Sequence, residues 1–241
     1  MITLGSVDSD GWLRGEGLFE TIRLEGVVPL LLDEHVARIS GSISRLDYPL
    51  KINDIKTLVR DLAAKSVWEF GRLRLMVSST GDLGISITEY KPSETSIQIT
   101  IADLDPSISQ GGEKKFPYLS RFQKVNSLAE RGFDEAILID ERGLLTEGYT
   151  CNYAFLIDEE WVTPKAGRDV LPGVVRGFAL QSGYLRESEI SHHDLAKINS
   201  AIALSSLRIA SVVTSIDSRE LPNLWASQSL RSRISADLLG G

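Results

Sequence analysis

Cysteine is almost absent from this 241-residue chain. Cys151 stands alone, which excludes an internal disulfide. It has no histidine near it in sequence to make it a nucleophile, so it reads as a small buried thiol. There are three histidines and no Cys/His cluster, so no metal site is expected. No stretch approaches the ~20 uninterrupted apolar residues of a membrane helix. The first residues, MITLGSVDSDGW, carry acidic groups where a secretory signal needs a basic segment and an apolar run. A cytoplasmic, reducing setting is therefore the expectation. Basic residues are outnumbered 26 to 33, the net charge is −7, and no Lys/Arg stripe is present to neutralise a phosphate backbone. Nucleic acid is excluded as a partner on that ground.

What is present is ordinary globular composition, 42% apolar and 24% charged, in a chain long enough for one or two domains. GLFETIRLEGVVPLLL alternates around Glu25-Gly26 and predicts a hairpin. Asp33 is the expected N-cap of a helix in which Ile39, Ile43 and Leu46 fall at helical spacing. Asn53-Asp54 opens a second helix, with Leu58, Leu62 and Val67 on one side. Strands are expected at GRLRLMVSS, ISITEY and TSIQITIADL, giving an α+β domain over residues 1–105 with two helices on an antiparallel sheet. Residues 106–118 read as an interdomain linker, since DPSISQGGEK is rich in Ser, Gly, Pro and charge. Residues 119–241 form the second, α/β domain. It holds a helix from Leu119 closed near Gly132, strands at EAILID, LLTEG and YAFLI, a turn-like VTPKAGRDV, a helix opening at Pro172-Gly173, and a short helix with strands over DLAKINSAIALSSLRIASVVTSI.

Several motifs stand in a consistent order: GEGLFETIR, His35-Val36-Ala37-Arg38-Ile39, DEAILID, Glu147-Gly148, Asn152 and Leu171-Pro172-Gly173-Val174-Val175-Arg176. Together they resemble the fold-type IV enzymes that use pyridoxal 5'-phosphate (PLP), the class IV aminotransferase family, with a two-domain fold like that of D-amino-acid aminotransferase. The resemblance implies that Arg38 binds the cofactor phosphate, which suits a guanidinium fork held on a helix. It implies that Glu147 faces the pyridine nitrogen and keeps it protonated, with Asn152 beside it. Gly173 and Val174 offer helix N-terminal amides to the phosphate. Val175 replaces the family's threonine, which removes one hydroxyl, and Ser205 and Ser206 match a second phosphate-side loop. Most cofactor contacts therefore fall in the second domain.

The family's Schiff-base lysine is the least regular piece. Spacing back from Asp134 lands on Lys114, with Lys115 adjacent, and aligns Tyr118 with the tyrosine that binds the ring hydroxyl. Matching Leu119-Ser120-Arg121 to the lyase subgroup instead puts Pro117 at the lysine position. Lys124 is a third option.

Phe19-Glu20-Thr21 is similar to the lyase and D-amino-acid branches. The resemblance implies an aminodeoxychorismate lyase-like enzyme forming 4-aminobenzoate and pyruvate for folate synthesis. The alternatives are a D-amino-acid or branched-chain aminotransferase, or a noncatalytic relative lacking the lysine. A homodimer acting on a small amino substrate is implied in the same way.

Overall fold

The computed structural model describes residues 2–4, 10–50, 55–92, 96–108 and 111–240. The chain divides into two compact units, Met1–Pro92 with Glu113–Tyr118, and Ser93–Gly112 with Leu119–Gly241.

The first unit begins with β1 (Ile2–Leu4), α1 (Asp10–Leu13), β2 (Gly17–Glu25), β3 (Val28–Pro29), α2 (Leu32–Arg45), α3 (Ile55–Ala63), β4 (Phe70–Ser78) and β5 (Leu83–Glu89). Next in sequence, β6 (Ser96–Asp103) belongs to the other unit, and β7 (Lys115–Phe116) returns to the first. The first sheet runs β1-β5-β4-β2-β3, with β7 also on β2, and every pairing is antiparallel. Alternation along β4 buries Leu73, Leu75 and Val77 and leaves Arg72, Arg74 and Met76 half-buried. The buried set packs with Leu18, Ile22 and Leu24 of β2, Ile39 and Ile43 of α2, and Val59 of α3.

The second unit continues with α4 (Leu119–Ala129), β8 (Glu135–Ile139), β9 (Asn152–Ile157), β10 (Glu160–Pro164), α5 (Val174–Gln181), β11 (Arg186–Ser188), β12 (Ser200–Ser205), β13 (Ile209–Ile216), β14 (Arg219–Glu220) and α6 (Leu224–Leu239). Its sheet runs β11-β10-β9-β12-β13-β6-β8, with β14 on β13. Strand β6 lies parallel to both β13 and β8. The core is built on Tyr153, Phe155, Ile137, Ile97, Ile99, Ala201 and Val213.

Several expectations need correction. Strand β6 was expected in the first sheet; Ile97 and Ile99 instead bury between β13 and β8, a parallel site closed on both sides. The expected linker over 106–118 contains a 3-10 turn at Pro106–Ile108 and then Glu113–Tyr118, which packs with the first unit through β7. Asp33 is not a cap: α2 begins one residue earlier, behind Leu31 at φ 50, and Asp33 pairs with Lys56 at 2.5 Å. Val67 lies beyond the end of α3 and is exposed. Asn53-Asp54 falls outside the described residues. The turn-like VTP is the end of β10. LLTEG forms only isolated bridges at Leu144 and Leu145 before the chain leaves the ladder. Helix α6 was not anticipated.

Candidate active site

In the first unit, alternation on β2 turns Leu18, Glu20, Ile22 and Leu24 toward the helices, so one carboxylate is carried into an apolar core. A buried carboxylate needs partners, and α2 supplies two. Arg38 donates from Nε to Glu20 Oε1 at 2.7 Å and from Nη2 to Oε2 at 2.6 Å, and His35 Nδ1 lies 2.7 Å from Oε2. Burial alone pushes the Glu20 carboxyl up, but Arg38 and then His35 outweigh it and hold it well below the usual carboxylate range. Burial pushes His35 down more than Glu20 draws it up. The ring is thus neutral at pH 7, and since an ionised carboxylate only accepts, Nδ1 carries the proton and donates.

The segment 113–118 adds the lysines. Lys114 Nζ sits 4.6 Å from the Phe19 ring centroid and 5.2 Å from that of Tyr118, whose ring meets Phe19 edge-on at 5.1 Å. Its charge also reaches His35. Lys115, the neighbour, pairs across β7 with Leu18, while Lys124 is exposed on α4 of the other unit. Pro117 is exposed after a cis Phe116-Pro117 bond. On the same β2 phase as Phe19, Thr21 accepts from Arg74 Nη1 at 2.6 Å, and the Arg74 guanidinium lies 5.4 Å from the Phe19 ring. Arg74 makes no ion pair with an acidic residue among the described residues. Burial, and next the charge of Arg72, lower its pKa.

In the second unit the centre is Glu147, 6% exposed. Its Oε1 accepts from Arg121 Nη1 at 3.0 Å; its Oε2 accepts from the Leu171 amide at 2.8 Å and from Asn152 Nδ2 at 3.3 Å. Arg121 also donates to the carbonyls of Ile108, Gly148 and Tyr149, so it pins the turn that presents Glu147. Asn152 Nδ2 bonds the Leu171 carbonyl at 3.0 Å, and a Cβ on Gly173 would run into Asn152 Oδ1. Gly173 has φ −62, so glycine is needed here for space rather than for backbone freedom. It is the N-cap of α5, and no side chain caps the helix start. The amides of Val174 and Val175 lie in that first turn, where no intrahelical acceptor exists. The Val175 side chain is buried and adds no donor. Ser205 ends β12 next to Leu204, the cross-strand partner of Asn152, and its Oγ accepts from the Arg208 amide at 3.4 Å in the turn that holds Ser206.

The structure therefore gathers Arg38, Lys114 and Tyr118 in one unit, and Glu147, Asn152, Gly173 and Val174 in the other. Sequence reasoning missed Glu113 and Arg74, and gave no role to Glu20 and Arg121, which it met only inside the motifs Phe19-Glu20-Thr21 and Leu119-Ser120-Arg121. Glu20 had a signal, its inward phase on β2; Arg121 had one too, sharing a helical face with Val125 and Leu128. Glu113 had none.

Comparison with known proteins gives three points of reference. A protein of Methanocaldococcus jannaschii named "Putative branched-chain-amino-acid aminotransferase" is 25% identical over 245 residues, covering 90% of this chain and 84% of that one. The aminodeoxychorismate lyase of Bacillus subtilis is 24% identical over 193 residues, covering 71% of this chain and 66% of the lyase. A hypothetical aminotransferase from Mycobacterium tuberculosis, solved in PLP-bound form, superposes with a TM-score of 0.81 at 18% identity, covering 98% of this chain and 94% of that one. The profile of the family described as amino-transferase class IV matches residues 17–216, and this chain belongs to that family.

Proposed function

We propose that the chain is a PLP-dependent enzyme acting on a small amino substrate, of the aminodeoxychorismate lyase type, with Lys114 as the cofactor-bonded lysine. PLP is the cofactor of the family. The residues present fit it: α5 starts without a side-chain cap at a glycine that Asn152 keeps bare, and a buried carboxylate is held by three donors. When bound, PLP supplies an electron-withdrawing ring that accepts the electron pair left at a substrate carbon.

This chain's residues do the rest. Arg38, held by Glu20, and the Val174 amide with Gly173 bind the phosphate. Ser205 and Ser206 add hydroxyls, Tyr118 binds the ring hydroxyl, and Glu147 with Asn152 faces the ring nitrogen. Lys114 Nζ takes and returns the proton at the reacting carbon. Arg74, a half-buried cation lacking an acidic partner among the described residues, suits a substrate carboxylate.

The observation that carries the reading is Lys114: its amine lies against both the Phe19 and Tyr118 rings, 4.6 and 5.2 Å from their centroids, and its charge acts on His35, whereas Lys124 is exposed on α4. The lyase branch is favoured by Phe19-Glu20-Thr21. The aminotransferase reading has its own support, since the match to the M. jannaschii relative spans 90% of the chain.

The test is to incubate the chain with PLP, reduce with borohydride and map the modified peptide. Lys114 is the expected site, and Lys114→Ala is expected to lose roughly 10²–10⁴-fold in turnover. Release of pyruvate and 4-aminobenzoate from aminodeoxychorismate supports the lyase; amino transfer to a keto acid replaces it with the aminotransferase. No modified lysine means a noncatalytic member of the family.

A further inference from the structure

We propose that Glu113 is the positioning residue for Lys114: its buried carboxylate, gripped by Ser42 and Arg45 of α2, fixes the backbone from which the lysine projects. The inference rests on the assignment of Lys114 above.

Glu113 is 6% exposed, although it stands in the polar run Gly-Gly-Glu-Lys-Lys that composition marks for solvent. Its carboxylate accepts from Ser42 Oγ, from Arg45 Nε at 2.7 Å and from Arg45 Nη2 at 3.1 Å. Ser42 is itself buried, and both donors lie on α2. Burial pushes the Glu113 carboxyl up, but the hydrogen bonds from Arg45 and Ser42 outweigh it and keep it low.

The neighbouring chain explains why such a grip is needed. Upstream, Gly111 and Gly112 have φ of 63 and 77, a turn open to glycine that gives the backbone little stiffness of its own. Downstream, the Lys114 carbonyl accepts from the Phe19 amide at 2.9 Å, and β7 pairs only two residues with β2. So short a ladder holds weakly on its own. Glu113 is the side-chain anchor on the upstream side.

The anchor point also matters. His35, Arg38, Ser42 and Arg45 recur at spacings of three and four, one stripe along α2. Ser42 lies one turn beyond Arg38 on that stripe. A single helix therefore references both the phosphate-binding arginine and the lysine segment, and freeing Glu113 releases the lysine from the frame that holds the arginine. A displacement of about 1 Å at a reacting group costs on the order of 10²-fold in rate.

The test measures the rate at which PLP is captured at Lys114. In that condensation Nζ attacks the aldehyde carbon, a C=N bond forms and water leaves; borohydride then delivers hydride to the carbon and fixes a secondary amine. Glu113→Ala is expected to slow capture roughly tenfold or more and to divert part of it to Lys115. Glu113→Gln, whose single amide oxygen can still accept from Ser42 and Arg45 Nη2 while the bond from Arg45 Nε is given up, is expected to keep more of the rate than Glu113→Ala. Arg45→Met combined with Glu113→Ala is expected to add nothing further. Val59→Ala, in the core of the same unit, serves as a control that lowers Tm and leaves the capture rate unchanged.

If Glu113→Ala loses Tm as Val59→Ala does but captures PLP at the wild-type rate, the residue is structural and this inference falls alone. If wild type captures no PLP, or captures it at Lys124, this inference and the assignment of Lys114 fall together.

Discussion

At the scale of single residues, the feature with the largest consequences is Glu20, a carboxylate placed among leucines and isoleucines and answered by Arg38 and His35. Removing one partner of such a cluster leaves a buried charge uncompensated. Glu20→Ala is therefore expected to cost about 3–5 kcal/mol in a urea titration. The same cluster gives acid sensitivity. Because the folded-state pKa of Glu20 lies below its unfolded value near 4.3, its stabilisation is complete above that pH and is lost as pH falls through it toward the folded value. His35, also depressed, adds loss in the same direction from about pH 6.5 downward. Urea midpoints measured across pH 7 to 3 are expected to fall, and the slope below pH 5 is expected to flatten in Glu20→Gln. Arg74 makes a different kind of prediction. If it meets a substrate carboxylate, Arg74→Met forfeits a charged hydrogen bond of about 1.5–3 kcal/mol, and KM should rise roughly ten- to a hundredfold with Tm little changed. A KM equal to wild type would remove Arg74 from substrate recognition.

Elements show where the sequence was readable and where it was not. Helix α5 was plain, because Leu171-Pro172-Gly173 combines a helix-opening proline and glycine with an apolar run, and the structure adds the reason for the glycine. Gly173→Ala pushes a methyl into Asn152, which also holds Glu147. The expected cost is about 1–3 kcal/mol of stability together with weaker PLP binding, both measurable by thermal shift with and without the cofactor. Arg38 was legible through its motif, but its partner sits on a different element, β2, 18 residues earlier, and only the inward phase of Glu20 hinted at it. Strand β6 was legible as a strand and illegible as to sheet. Its alternation fits an antiparallel edge as well as a parallel interior, and the deciding partner, β13, lies far downstream. Helix α6 escaped because its buried residues, Ser227, Leu230 and Ile234, include a serine and form too thin an apolar stripe to stand out. Glu113 escaped for the opposite reason: in a run of glycines and lysines nothing distinguishes a buried glutamate from a solvated one.

At the scale of the whole molecule, a ligand that binds only the folded chain must stabilise it. PLP at a hundred times its Kd should add about 2.7 kcal/mol. For a chain of this length that is a rise in Tm of roughly 5–10 °C, which Arg38→Met is expected to abolish if Arg38 binds the phosphate. The described residues contain no helix long and apolar enough to cross a membrane. The placement of β6 carries one more consequence, for biosynthesis. Both of its neighbours in the sheet come later in the sequence, β8 soon after and β13 roughly a hundred residues on. On a ribosome adding about 5–20 residues per second, an apolar strand edge therefore waits several seconds for its second partner. A nascent chain halted before Ile209 would present that edge to whatever binds unpaired strands, so chaperone demand should peak while the stretch between Ile139 and Ile209 is being made.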